Sequence, residues 1–276
     1  MNQEAREIPS ACYGVLERVA AEGPLAEAAE QVRILGYATI DSGYKQAELQ
    51  VLSQAFDEIR EAYIARHGQA YLESLDELNN IRLMLAYGDG AFLRLALNEH
   101  VLKTVAMLIS GKFVLNQQNG VINPPLETYN QGAWHRDLPY QHFVSTTPLA
   151  INALFCMDDF TADNGATFVL PASHRNGPFP SPGHVRKNAV QVEARAGQFI
   201  LLDCMAFHSG GYNRSSRARR AVNHVYTIPY FKQQIKIAGV LDGDLLPPHA
   251  REILGFDFQE PLSVDGYLES RRKPGA

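Results

Sequence analysis

The chain has 276 residues, 46% of them hydrophobic and 20% charged, the composition of an ordinary folded protein and far from disordered, collagen-like or coiled-coil sequences. With 25 Lys and Arg against 30 Asp and Glu the formal net charge is −5, so no global positive field exists to draw in nucleic acid or an anionic membrane surface. Cys12, Cys156 and Cys204 are widely spaced and form no CxxC pair, which suggests neither a disulfide framework nor a zinc knuckle.

The N-terminus, MNQEAREIPS, is polar and no run of about 18 apolar residues occurs, so a cytoplasmic protein without a membrane span is expected. Residues 1–110 read as mostly helical. GYATID (36–41) reads as a strand between helices, and Leu49, Leu52, Phe56, Ile59 and Tyr63 repeat at helical spacing as one apolar stripe. A second apolar helix is predicted from about Phe92 to Ile109. From Lys112 the texture becomes short β-branched and aromatic runs: KFVLNQ, AINALFCM, ATFVLP, AVQVEA, GQFILLD and AVNHVYTIPY, separated by Gly, Pro and Asn. Strands without helical stretches between them predict a sandwich or barrel flanked by helices. After Tyr230 a short helix is expected in DLLPPHAREILGF.

The chemistry is concentrated in AWHRDLPY (133–140). His135 and Asp137 lie two apart and in an extended strand would share a face, where imidazole and carboxylate can converge on one metal ion. Downstream, MAFHSGGYNRSSRARRAVN supplies His208 at a strand edge. Two histidines and one carboxylate form a facial triad that suits Fe(II) and leaves coordination positions open, unlike a closed four-ligand zinc site. Arg219 opens the strand that follows, and its guanidinium fork matches a carboxylate. Arg217 and Arg220 compete for that role, with Arg220 expected to reach solvent or an acidic partner.

Together the HRD segment, NGATFVLPASHR (164–175) and FHSGGYNRSSRARRAVN resemble the phytanoyl-CoA dioxygenase family of Fe(II)- and 2-oxoglutarate-dependent oxygenases, clearly over about residues 112–231. The resemblance implies a mostly β chain with flanking helices around a double-stranded β-helix (jelly-roll, cupin-like) core. It implies one domain over 1–276, with a mainly helical flank (1–110), the jelly-roll core (111–231) and a C-terminal segment (232–276). It further implies Fe(II), 2-oxoglutarate and O2 as cofactors, His135, Asp137 and His208 as iron ligands, Arg219 as partner of the distal carboxylate of 2-oxoglutarate, and Asn123 as a polar residue helping to hold that co-substrate. The family often carries a hydroxyl residue two after the second histidine, where this chain has Gly210. Relatives that halogenate replace the carboxylate ligand with a small residue, and here Asp137 is intact, so hydroxylation is favoured.

Arg136, Tyr140, Gln141 and His142 flank the metal motif and are candidates to line a substrate space, as is His174 in ASHR. The amide-rich run Asn116 to Asn119 places alternate members inward along a strand, with Gln118 taken as a substrate residue. These groups suit a small polar metabolite. The competing readings are a cupin-type metal protein with non-oxidative chemistry, which has no need of Arg219, and a catalytically silent binding module. Oligomeric state is left open.

Overall fold

In the computed structural model, which describes residues 9, 11–138 and 144–272, the N-terminal flank begins with α1 (Pro24–Leu35). Pro24 starts it in the first turn, and Gly36, in the left-handed conformation at φ 84°, ends it with its N–H on the Val32 carbonyl. β1 (Tyr37–Asp41) follows. The predicted stripe lies on α2 (Gln46–His67), where Leu52, Phe56, Ile59 and Tyr63 are buried. Then come α3 (Gln69–Ser74) and β2 (Asn80–Arg82), a short strand without a sequence signal.

The single helix expected over 92–109 is two, α4 (Ala91–Ala96) and α5 (Glu99–Leu108). Asn98 makes the break. Its side-chain oxygen accepts from the backbone N–H groups of His100 and Val101, so it caps a new helix start.

The core consists of β3 (Val114–Asn123), β4 (Ala150–Cys156), β5 (Thr167–Val169), β6 (Val190–Val192), β7 (Gln198–Asp203), β8 (His208–Ser209) and β9 (Arg219–Thr227). α6 (Pro182–Asn188) precedes β6, while α7 (Pro248–Ile253), inside the helix expected near the C-terminus, and α8 (Val264–Ser270) close the chain. One antiparallel sheet has the order β1-β7-β4-β9-β3-β2 and the other the order β6-β5-β8. This is a mostly β jelly-roll layout with flanking helices. Among the described residues no helix is long and apolar enough to cross a membrane.

Strand alternation gives the large sheet two different faces. Ile151, Ala153, Phe155, Leu201, Val222 and Tyr226 pack with Phe56, Phe92 and Val105 of the helices. Cys156, Ile200, Leu202 and Ala221 pack instead with Val169 and Val192 of the small sheet. The space between the sheets is lined by this second face.

One irregularity sets what β3 offers that space. Between Leu115, opposite Tyr226, and Gln117, opposite Val225, the register shifts at a bulge, so Asn116 has no partner. Counting by strict alternation from buried Leu115 would turn Gln118 inward. The bulge reverses this, and Gln118 faces the helices, donating to the Phe92 carbonyl at 2.7 Å and lying 2.8 Å from His224 Nε2. Gln117 and Asn119 take the inward positions.

Candidate metal centre

His135 forms a two-way backbone bridge with His208, its N–H donating to the His208 carbonyl at 2.9 Å and its own carbonyl accepting from the His208 N–H at 3.1 Å. Directly opposed residues in such a pair project to the same side. Asp137 continues in extended form, its N–H on the Cys204 carbonyl, so it shares the face of His135. One ligand atom from each of His135, Asp137 and His208 then lies within 4.8 Å of the others.

The ring nitrogens are assigned by their backbone partners. Nδ1 of His135 lies 2.8 Å from the Ala133 carbonyl and Nδ1 of His208 lies 3.0 Å from the Ala206 carbonyl. Each Nδ1 therefore carries the proton and each Nε2 lone pair is free for a cation. Asp137 Oδ1 is 3.6 Å from His208 Nε2, and both side chains are only 7% exposed.

Asn152 holds the other carboxylate oxygen, its Nδ2 donating to Oδ2 of Asp137 at 2.7 Å. Burial alone would raise the carboxyl pKa, but the two imidazoles and the Asn152 amide outweigh it and bring Asp137 to about 2. Burial and the neighbouring His208 push His135 down, whereas at His208 burial is outweighed by Asp137 together with the Ala206 carbonyl, which raise it. The constellation is an ionised carboxylate and two imidazoles on one side of a cavity, the donor set of a facial triad.

Behind it, a narrow slot of about 40 Å³ runs between the sheets, lined by His135, His208, Tyr129, Gly210, Asn223 and Arg219. Arg219, the first residue of β9, is buried. Its Nη1 donates to the Gly165 carbonyl at 2.8 Å, its Nη2 lies 3.4 Å from Tyr129 Oη, and its guanidinium sits 3.9 Å over the Phe160 ring. Nε has no partner, and among the described residues no carboxylate lies within ion-pair distance. A buried cation without an anion is costly, and this one fits a carboxylate ligand. Arg217 is exposed and lies outside the strand, while Arg220 turns to the opposite face and pairs with Asp158 and Asp57.

Gly165 makes the Arg219 contact possible. Its φ is 77°, and a Cβ there would lie 2.3 Å from the Gly211 carbonyl oxygen and 2.6 Å from Asn123 Nδ2. Asn123, opposite Arg219 on β3, directs its amide to the Gly211 carbonyl at 2.9 Å and more weakly to that of Gly165. It fastens the loop carrying the Arg219 acceptor and lies outside the lining of the slot.

Two further expectations are corrected. Arg136 borders the cavity beside His135 and Asp137, but residue parity turns its guanidinium to the other side of the segment. Its guanidinium donates to the carbonyls of Met205, Ser173, Asn176 and Gly177 and lies over Phe207, so it clamps a loop. His174 lies in a turn folded back on α1, with Nε2 3.2 Å from the Arg33 carbonyl and the ring packed on Gly36. Tyr140, Gln141 and His142 lie outside the described residues.

Adjoining the slot, and sharing Gln131, His135 and Asn223 with it, is a wider cavity of about 340 Å³ whose walls also include Asn80, Gln117, Asn119, Asn130 and Asp137. Arg82 at its edge is bound by Glu77. Asn80 Nδ2 and Asn223 Oδ1 are buried without partners.

A protein-family model, phytanoyl-CoA dioxygenase, matches residues 33–221. The chain belongs to the phytanoyl-CoA dioxygenase family. An uncharacterised Mycobacterium tuberculosis protein is 30% identical over 254 residues, covering 89% of this chain and 92% of its own length. Among solved structures, EctD from S. alaskensis with 2-oxoglutarate and 5-hydroxyectoine superposes with a TM-score of 0.60 at 19% identity over 74% of this chain and 76% of its own. The non-heme alpha-ketoglutarate-dependent epimerase SnoN of nogalamycin biosynthesis superposes at 0.56 with 20% identity, over 81% and 92%. The phytanoyl-CoA dioxygenase family member described here is a 2-oxoglutarate-dependent oxygenase, with Fe(II) and 2-oxoglutarate as its cofactors.

Within this family member, sequence reading missed Asn152, Tyr129, Gln131 and Asn223. Asn152 had a signal: it is the single amide in the apolar run AINALFC. Tyr129 sits in a loop and is brought to Arg219 only by the fold.

Proposed function

We propose that the protein hydroxylates a small, uncharged polar metabolite at an unactivated C–H position, using His135, Asp137 and His208 as iron ligands and Arg219 as the anchor of the distal carboxylate of 2-oxoglutarate. The observation that carries the anchor is the buried guanidinium with an unpartnered Nε and, among the described residues, no carboxylate within ion-pair distance. When bound, Fe(II) with 2-oxoglutarate and dioxygen supplies an oxidant able to remove hydrogen from such a carbon, releasing succinate and carbon dioxide.

The chain's own residues do the rest. The backbone carbonyls of Ala133 and Ala206 fix the tautomers of the two histidines, and Asn152 orients the carboxylate. The slot suits a slender dicarboxylate, and the larger amide-walled cavity is left for the substrate. Its unpaired amide donor and acceptor favour hydroxyl or carbonyl groups over a fatty acyl chain. Asp137 supports hydroxylation over halogenation, since its carboxylate fills the position a halide would need. A cupin-type hydrolase or isomerase would leave Arg219 without a purpose, and a silent module would leave the whole ligand set without one. We further read 1–276 as one domain in a reducing, cytoplasmic setting.

Anaerobic titration with Fe(II) and 2-oxoglutarate tests this reading. A visible charge-transfer band is expected in the unaltered protein, absent in His208→Ala, and requiring at least about tenfold more 2-oxoglutarate in Arg219→Ala. A folded protein that gives no band refutes the oxygenase site; an unchanged 2-oxoglutarate requirement in Arg219→Ala refutes the anchor. Succinate release stimulated by neutral polar metabolites and not by acyl chains checks the substrate class.

A further inference from the structure

Gly210 lies two residues after His208 and lines the slot beside Arg219. Its backbone φ is not in the left-handed region, so the conformation does not call for glycine. The space does. A Cβ on residue 210 would lie 1.9 Å from Tyr129 Oη and 2.8 Å from its Cζ. The end of the phenol therefore fills the volume that a side chain at 210 would take.

Tyr129 is held there from the loop after β3. The Gly210 N–H donates to the Gln131 carbonyl at 2.7 Å, which zips the loop onto the strand edge, and the ring rests 3.7 Å from the Cβ position of Gly132. Oη faces Arg219 Nη2 at 3.4 Å. Arginine can only donate, so the phenol oxygen is the acceptor in that contact. Its own proton finds no acceptor among the described residues, and burial keeps the phenol protonated. Tyr129, with its uncommitted O–H, and Arg219, whose buried Nε has no partner, thus line the same slot.

We propose that Tyr129 is a second anchor for the carboxylate held by Arg219, donating its hydroxyl proton to that carboxylate from the loop, with Gly210 as the vacancy that admits it. This rests on the reading that 2-oxoglutarate occupies the slot. Tyr129 is a positioning residue for the co-substrate, with no part in the oxidation itself.

The test is anaerobic binding to the Fe(II) protein, read by the charge-transfer band, with 2-oxoglutarate and with pyruvate, which has the 2-oxo acid end but no distal carboxylate. Tyr129→Phe is expected to weaken 2-oxoglutarate by about tenfold and leave pyruvate unchanged. The pair Tyr129→Ala with Gly210→Ser, which returns a hydroxyl to the vacated space, is expected to recover much of the loss seen in Tyr129→Ala alone. Unchanged 2-oxoglutarate affinity in Tyr129→Phe overturns the proposal. So does equal weakening of both acids, which would mark a general packing role, or tighter binding, which would make the phenol a competitor for Arg219. A band with pyruvate but none with 2-oxoglutarate in the unaltered protein overturns the Arg219 slot as well as Tyr129, and no band with either overturns the oxygenase site on which both rest.

Discussion

Replacing Asn152 by leucine removes one hydrogen bond while keeping a side chain of similar size on β4. In the native site the 2.7 Å bond to Oδ2 leaves Oδ1 of Asp137 turned toward His208 Nε2. Without it the carboxylate can rotate about its last torsion and present neither oxygen in register with the histidines. The Asp137 pKa stands at about 2, with Asn152 the smallest of the causes lowering it, so the variant's carboxylate is still ionised at neutral pH. Any loss then reports orientation and not protonation. A hydrogen bond to a charged group contributes roughly 1.5 to 3 kcal/mol, which at about 1.4 kcal/mol per decade is ten- to about hundredfold in affinity. Loss of a side chain that orients a metal ligand independently suggests about ten- to hundredfold. Fe(II) affinity measured anaerobically against a competing chelator should fall by that factor in Asn152→Leu, with a urea midpoint near that of the unaltered protein. Affinity within twofold of the original would refute the idea that Asn152 orients the ligand.

Gly165→Ala should destabilise the fold by more than about 2 kcal/mol, because φ 77° is strained for alanine and its Cβ meets a backbone oxygen at 2.3 Å; an unchanged denaturation midpoint would contradict the geometry. Asn98→Ala should cost about 0.5 to 2 kcal/mol through loss of the cap of α5, measured by urea unfolding, and a neutral result would remove that cap from the account. His224 is buried with Nδ1 on the Ala153 carbonyl and Nε2 accepting from Gln118, and burial lowers its pKa to about 4. The unfolded chain takes up this proton near pH 6.5 and the folded one only near 4, so stability falls as pH drops from about 6.5 to about 4, by up to about 3 kcal/mol, and levels off below. An NMR titration in which the His224 ring takes up its proton near 6.5 would refute this.

Much of the site was legible because the residues that make it are near one another in sequence or have distinctive chemistry. His135 and Asp137 share a face by two-residue spacing alone, and the strand runs around Ala150, Gln198 and Arg219 are where periodicity placed them. The helix break at Asn98 was readable in principle as a capping residue inside an apolar stretch. Parity was not. Gln118 turned outward because of a bulge two residues upstream, and a bulge is a property of two paired strands, invisible in either one. Arg136 lost its assignment for a related reason: its neighbours on both sides, His135 and Asp137, face the ligand cluster with His208, so the guanidinium between them faces the carbonyls of a loop about 40 residues downstream.

What the sequence determined by itself was the set of chemical groups and their local directions: a carboxylate and a histidine on one strand face, a second histidine at a strand edge, an arginine opening the next strand, and a helical flank with one apolar stripe. Local backbone periodicity suffices for these because it acts over two to four residues. Only the tertiary structure decided which groups meet: that Asn152 grips Asp137, that Arg219 is buried with no ion-paired carboxylate among the described residues, and that Tyr129 fills the place of a side chain at Gly210. Those pairings join residues 15 to 90 positions apart, and distances of that kind are set by how the two sheets pack, which no local pattern encodes.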